Sequence, residues 1–468
     1  MKLRSIVVFP LLLTTALSEP GATPPTVVAA WDTPHAANPI LPGYFADPSL
    51  VQYDGQNYLY ATLDPWGGRT LGCWQSPDFK NWTFRSLNWP TKEACTSPTS
   101  GGSMVWAPSV VRAANGKFYM YVSVGSEVWV GTAVHPLGPW TDAHKGQPLI
   151  PGNYKPGFHM IDAEAFVDEE GSAYLYWGSG WNWKNGRCFA VKLKADMVTF
   201  DGEPRDVTPG NYFEGPFLFK HANRYYLSYS QGVTVEDTYQ VHYAIGDSPL
   251  GPFTEAANSP ILVTDQSRNV VSPGHHALFS RDGHDYILYH RHNVPYVKGQ
   301  AYRQTCVDEL RFTPEGLIEK VKPTHAGPVL VQRNRPSRLA ATATASSELD
   351  KLHNTACVLD DNYATRWAAA PDEKEGGIQL DFGAETEIGY AEIRFEYAWK
   401  TYHFSLEASN DDTSWTRVAD YRVTGTSGSP LHIAVNRKCQ YLRLVYTGNN
   451  KAEAMSLWEF AAYPPEHP

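Results

Sequence analysis

The chain has 468 residues, 42% of them hydrophobic, which is enough for two or three domains with cores of their own and excludes a disordered polymer. Its formal net charge of -10 lacks the basic excess that a nucleic-acid surface needs. Six cysteines with no C-x-x-C pair read as disulfides or buried thiols rather than zinc ligands.

In chain order, Met1 to Ser18 comes first: a basic start at Lys2 and Arg4, a short apolar run, and the small-x-small ending Ala16-Leu17-Ser18. This is the pattern of a secretory signal peptide, too short to span a membrane. No later run approaches that apolarity, so the expectation is a secreted, soluble, extracellular protein, a monomer without membrane or nucleic-acid partners. Asn81-Trp82-Thr83 is the only glycosylation sequon and agrees with secretion.

From residue 30 to residue 328 the sequence repeats. Five segments share one form: "DPSLVQYDGQNYLYATL" from Asp47, "APSVVRAANGKFYMYVSV" from Ala107, "DAEAFVDEEGSAYLYWGS" from Asp162, "EGPFLFKHANRYYLSYSQ" from Glu214 and "HHALFSRDGHDYILYHRH" from His275. Each is a strand, a turn holding Gly or Asn, and a second aromatic-rich strand, the signature of a hairpin. Further strand-like pieces follow, with the related phrases "HPLGPWT" and "SPLGPFT". Four strands in each of five repeats predict an all-β, five-bladed propeller.

Equivalent positions of a propeller converge on its axis. Asp47, Asp162, Glu214 and His275 open their repeats, and the Trp106-Ala107 step opens the second. Three carboxylates and a histidine are therefore expected in one depression. Such a group suits cation binding through oxygen ligands or glycoside hydrolysis, in which one carboxylate activates water and a protonated carboxyl serves the leaving oxygen. No G-x-S-x-G, H-E-x-x-H or G-x-x-x-x-G-K-[ST] pattern is present. His275-His276 and His290-Arg291-His292 lack zinc-site spacing.

These residues carry a resemblance. "ADPSL", "WAPSV", "IDAEAFVDEEGSAYLYWG", "FEGPFLF" and "PGHHALF", in this order, resemble glycoside hydrolase family 43 over about Phe45 to Pro328. The resemblance implies a five-bladed propeller and an inverting mechanism, with Asp47 as general base, Glu214 as general acid, and Asp162 tuning and orienting the acid. It also implies substrate contacts from Trp106, Arg303 and His275, and a calcium reached from His275 through water. No cofactor is required for the chemistry. Glu164, two residues after Asp162, is expected on the same strand face and behind the site.

Residues 329–339 read as a linker, after which the repeat stops. Over residues 340–463, alternating strands and polar turns predict a β-sandwich. "LDDNYATRW", "IQLDFG", "SNDDTSW", "YLRL" and "SLWEF" resemble the discoidin, or coagulation factor type C, fold shared with carbohydrate-binding modules. The resemblance implies a candidate structural calcium at Asp360, Asp361 and Asn362, which also read as an Asx turn, and candidate sugar contacts at Trp399, Tyr402 and His403. Cys357 and Cys439 are the expected disulfide. A tethered module of this kind should be separable: deleting residues 338–468 should spare small aryl glycosides and weaken action on polymer.

The resulting expectation is a secreted exo-acting glycoside hydrolase, an α-L-arabinofuranosidase trimming plant cell-wall polysaccharide. β-Xylosidase and β-galactofuranosidase are the alternatives within the class, and a non-catalytic lectin-like binder is the alternative outside it.

Overall fold

The computed structural model describes residues 30–335, 337–373, 375–447 and 454–465; the expected signal peptide lies outside them. The repeats fold as hairpins because their tips can turn. At Asp54-Gly55, Ala222-Asn223 and Asp282-Gly283 both central residues have positive φ, the geometry that matches the twist of the flanking strands. The hairpins build a five-bladed propeller whose first four blades are four-stranded antiparallel sheets.

The fifth blade departs from the four-strand expectation. It has three strands, Gly274–Arg281, His284–His292 and Arg303–Leu310. The open edge of the last is occupied by the segment before the first blade: Ile40 N–H donates to Thr305 O at 2.9 Å. The Asn38 side chain accepts from Val307 N and donates to Val307 O, at 2.9 and 2.8 Å. A side-chain amide thus takes the place of a strand peptide and closes the ring, pairing the edge groups of Thr305 and Val307.

The second unit is a β-sandwich made largely from two long strands. Gly376–Phe395 and Leu431–Tyr446 pair along most of their length, with register breaks between Asp381 and Thr386 and between Ile388 and Tyr390. On one side of the first break they join Thr342–Ala345 and Phe404–Ser409. On the other, Gly376–Phe395 pairs with Ser456–Tyr463. The two layers enclose Ile378, Leu380, Ile393, Phe404, Leu442 and Phe460, all buried.

The two units are packed together, contrary to the linker reading of 329–339. Arg333 is 8% exposed; its side chain donates to Ala36 O and Asp361 O, and its Nε lies 3.2 Å from Asp361 Oδ1. Arg335 reaches Asp361 and Glu392. Phe84 N–H donates to Ser429 O at 2.7 Å. Ala398 and Trp399 complete a hydrophobic cluster that includes Phe45 and Trp74 of the first blade. Trp399 therefore serves the interface: its ring meets Phe45 edge-on, with centroids 5.6 Å apart.

Other expectations for the sandwich are also revised. Tyr402 is buried and stacks on Phe395 at 4.0 Å, so it faces the core rather than a sugar; His403 Nδ1 lies 3.1 Å from Arg422 O. The "LDDNYATRW" loop is an interdomain latch. Asp361 faces two arginines, Asp360 accepts from Thr365 Oγ1 and Asn362 N–H, and Asn362 Nδ2 donates to Trp31 O and Thr33 O. Two guanidiniums on Asp361 oppose a calcium there, because they would repel it. All six cysteines are free and buried, so the Cys357–Cys439 disulfide is absent; Cys357 Sγ instead faces Leu352 O.

Candidate active site

The depression forms where the inner strands begin, four of the five with a bulge. Register breaks lie between Ala46 and Ser49, Trp106 and Ser109, Glu214 and Phe217, and Gly274 and Ala277. The residue at this step has positive φ in every blade: Asp47 (52°), Ala107 (46°), Asp162 (57°), Gly215 (60°) and His275 (40°). Left-handed backbone in five non-random places, four without glycine, is strain maintained to aim side chains at the axis.

This register corrects the repeat alignment by one residue. Gly215, not Glu214, is the equivalent of Asp47; Glu214 stands one step earlier, where the second blade has Trp106. A Cβ at Gly215 would lie 3.3 Å from His275 Cγ. With no side chain there, the axial space is left to His275, while Glu214 approaches from the rim. Neighbouring blades lock these left-handed residues through their backbone N–H groups: Ala107 donates to Thr62 Oγ1, Asp162 to Ser123 Oγ, His275 to Ser230 Oγ and Asp47 to His290 Nδ1.

The structure brings Asp47, Trp106, Asp162, Glu214, His275 and Arg303 together around one cavity of about 230 Å3. Asp47 is 5% exposed; its Oδ2 accepts from Thr62 Oγ1 at 2.7 Å and its Oδ1 from Arg303 Nη1 at 3.0 Å. Burial pushes this carboxyl up, but the Arg303 charge outweighs it and holds Asp47 well below the usual range, so it is ionised. His275 Nδ1 lies 3.4 Å from Asp47 Oδ1 and 3.8 Å from Asp162 Oδ2. Burial lowers its proton affinity, leaving it neutral.

Glu214 is the opposite case. Burial raises it to about 7, although Tyr239 Oη at 2.8 Å and Ser179 Oγ at 3.0 Å donate to it and pull the other way. Burial, with repulsion from Glu214 and Asp47, also raises Asp162 well above its ordinary value. The two carboxyls titrate as a pair that retains a proton at neutral pH. The cavity thus presents an ionised carboxylate at Asp47 and a carboxyl pair at Glu214 and Asp162 that keeps one proton.

Glu164 is not in the cavity wall. The left-handed backbone at Asp162 breaks the two-residue alternation, and Glu164 stands half-buried beside Ser109, its desolvation raising it to about 8. As for a calcium, the axial donors are one imidazole whose Nδ1 already faces two aspartates. A hard cation that takes 6–8 oxygens could be reached from it only through water. Among the described residues no group of three or more His, Cys, Asp or Glu side chains is placed to hold a metal. Asn81, in the sequon, is exposed, its amide 2.8 Å from Asp78 Oδ2.

Sequence reasoning missed several residues at the site. Asp64, 2% exposed, accepts from Arg303 N, Nε and Nη2 at 2.9, 2.8 and 2.8 Å, which points Nη1 at Asp47. Asp64 Oδ1 also accepts the Trp66 N–H. Tyr239 and Ser179, which hold Glu214, and the rim residues Trp66, Trp181 and His159 were likewise unmarked. None opens a repeat, so periodicity carried no signal for them.

Comparison with known proteins agrees with this geometry. The family model described as glycosyl hydrolases family 43 matches residues 36–318, and that of the F5/8 type C domain matches residues 342–460. A β-D-galactofuranosidase of Aspergillus niger is 33% identical over 338 residues, covering 68% of this chain and 94% of the relative. An arabinoxylan arabinofuranohydrolase of Bacillus subtilis is 27% identical over 347 residues, 64% of this chain and 67% of the relative. A solved structure described as a glycoside hydrolase superposes with a TM-score of 0.76 at 28% identity, covering 92% of this chain and 100% of that one. An α-L-arabinofuranosidase structure from Clostridium thermocellum covers 60% of this chain and 94% of its own, with a TM-score of 0.50 at 28% identity. With a family match across the whole propeller and the carboxylates of its motifs gathered in one cavity, the chain belongs to glycosyl hydrolases family 43, carries an F5/8 type C domain behind the propeller, and is a glycosidase.

Proposed function

We propose that the protein is a secreted, inverting exo-glycosidase that removes terminal furanose sugars from plant cell-wall polysaccharide or oligosaccharide, with α-L-arabinofuranosidase as the first reading. The observation that carries it is an ionised Asp47 lining the same small cavity as Glu214, whose proton affinity burial raises to about 7. Asp47 takes the proton of the attacking water, and Glu214 gives its proton to the departing oxygen. Asp162 shares that proton and sets its affinity. Arg303, Trp106 and His275 bind the terminal sugar. A volume of about 230 Å3 falls below the roughly 300–1,000 Å3 of pockets for drug-sized ligands, which favours one sugar residue over a continuous chain.

A second reading, β-galactofuranosidase, is favoured by the 33% identity to the Aspergillus niger enzyme. The furanose ring is common to both readings. Secretion rests on Met1 to Ser18 and on the exposed sequon, and the protein is proposed to act as a monomer. A calcium held from His275 through water would supply positive charge near the axis and no reacting group.

Hydrolysis of nitrophenyl α-L-arabinofuranoside, β-D-galactofuranoside and β-D-xylopyranoside tests the substrate. Proton NMR of the first-formed sugar tests the stereochemistry. Turnover of the arabinofuranoside with an inverted anomer is expected. Preference for the xylopyranoside would overturn the furanose reading, and a retained anomer would overturn the roles given to Asp47 and Glu214.

A further inference from the structure

The cavity is lined by two exposed tryptophans, Trp66 (42% exposed) and Trp181 (50% exposed), and each is tied to a different catalytic carboxyl. Trp66 continues the wall of the base: its N–H donates to Asp64 Oδ1, and its ring lies 5.9 Å from the Arg303 guanidinium that holds Asp47. Trp181 continues the wall of the acid, two residues after the Ser179 hydroxyl that donates to Glu214.

The Trp181 indole is fixed. Its turn is closed by a bridge between Trp181 and Lys184, and Asn182 and Trp183 both have positive φ. Gly180, just before it, is pressed so closely on Lys184 O that a Cβ would stand 1.7 Å away, so only glycine fits. One face of the indole stacks on the His159 ring, with centroids 4.1 Å apart and planes 22° apart. Burial lowers His159 to about 4, so at neutral pH the backing ring is uncharged. A large apolar ring held rigidly, supported on one face and bare on the other, is a binding surface rather than a packing residue.

Displacement with inversion is in line: water enters from the Asp47 side and the leaving group departs on the Glu214 side. We propose that the bare face of Trp181 is the platform for the first sugar ring of the leaving group, whereas Trp66 walls the terminal sugar. This rests on the proposed function, since it takes Glu214 as the acid. The ligand class is a sugar ring presenting its apolar C–H face, supplied by the backbone or branch to which the terminal sugar is attached.

The test compares two substrates bearing whichever terminal sugar the wild type hydrolyses: an oligosaccharide, and a methyl glycoside whose leaving group has no ring. In Trp181→Ala the ratio of kcat/KM on oligosaccharide to kcat/KM on methyl glycoside should fall about tenfold, the loss of one ring contact of ~1.4 kcal/mol. Trp181→Phe should recover most of it. Trp66→Ala should lower both rates and leave the ratio unchanged. An active wild type whose ratio is untouched by Trp181→Ala, or moved equally by Trp66→Ala, would overturn the platform alone. A wild type inert on both substrates would overturn the proposed function and this inference with it.

Discussion

The proton on Glu214 can be moved by one atom. Burial raises this carboxyl to about 7, and the Tyr239 hydroxyl, 2.8 Å from Oε1, opposes the rise because it donates more strongly to carboxylate than to carboxylic acid. Tyr239→Phe removes that donor and keeps the ring, which lies parallel to His290 at 5.8 Å. A hydrogen bond to a charged group contributes roughly 1.5–3 kcal/mol, and one pKa unit is about 1.36 kcal/mol. Glu214 should therefore rise by about one to two units. The basic limb of kcat/KM, which reports loss of the acid's proton, moves alkaline by that amount, while the rate below the limb falls because a weaker acid assists departure less. Asp162→Asn should move the same limb the other way, since it removes the neighbour that repels ionised Glu214. Both profiles are read from kcat/KM between pH 4 and 10, with a dinitrophenyl glycoside as the control that needs little acid assistance. An acidic shift in Tyr239→Phe, or an equal shift on the dinitrophenyl substrate, would show that Glu214 is not the proton donor.

Three further outcomes are expected. Asp64→Asn leaves the Arg303 charge opposed by Asp47 alone, so Asp47 becomes a weaker base; the acidic limb should move to lower pH and kcat should fall by more than KM rises, with Asp64→Glu recovering part of the loss. Deleting residues 338–468 should lower activity on a nitrophenyl glycoside as well as on polymer and reduce the melting temperature, because Phe45, two residues from Asp47, loses its contact with Trp399; a fully active, stable propeller would refute the packed interface. A calcium held from His275 through water predicts a reversible fall in melting temperature in EDTA that calcium restores, and an unchanged melting curve removes the ion from the axis.

What could be read from the sequence was what repeats. The blades were legible because an aromatic strand, a turn and a second strand recur, and Asp47, Asp162 and His275 because they recur at the same step. Glu214 looked like a fourth member of that series and is one residue out of it. Only the bulge register shows this, since "EGP" places the left-handed residue at Gly215 rather than at the acid. Glu164 misled for a related reason, because alternation along a strand does not carry through a left-handed residue such as Asp162. Asp64, Tyr239 and Ser179 act through contacts between elements far apart in the chain. Asp64 and Arg303 are separated by 239 positions, a distance over which one sequence shows no pattern.

The interface between the two units was illegible for a different reason. "VQRNRPSRLA" has the composition of a linker, polar with one proline, and composition reports how a segment would behave in water. Here Arg333 and Arg335 are taken out of water because Asp361, Glu392 and the carbonyls of Ala36 and Asp361 meet their donors. Buried arginine persists only where its partners are in place, and Asp361 is supplied by the sandwich while Ala36 belongs to the segment that closes the propeller. The same arginine therefore touches the ring closure and the second domain. Ala398 and Trp399 cover Phe45, the residue that precedes the Ala46-Asp47 bulge. The recurrence of this arrangement in a solved relative, at a TM-score of 0.76 over 92% of the chain, is what a load shared across both units requires. A domain held only by a flexible tether would not superpose over that length. The sandwich thus packs directly on the strand that carries Asp47.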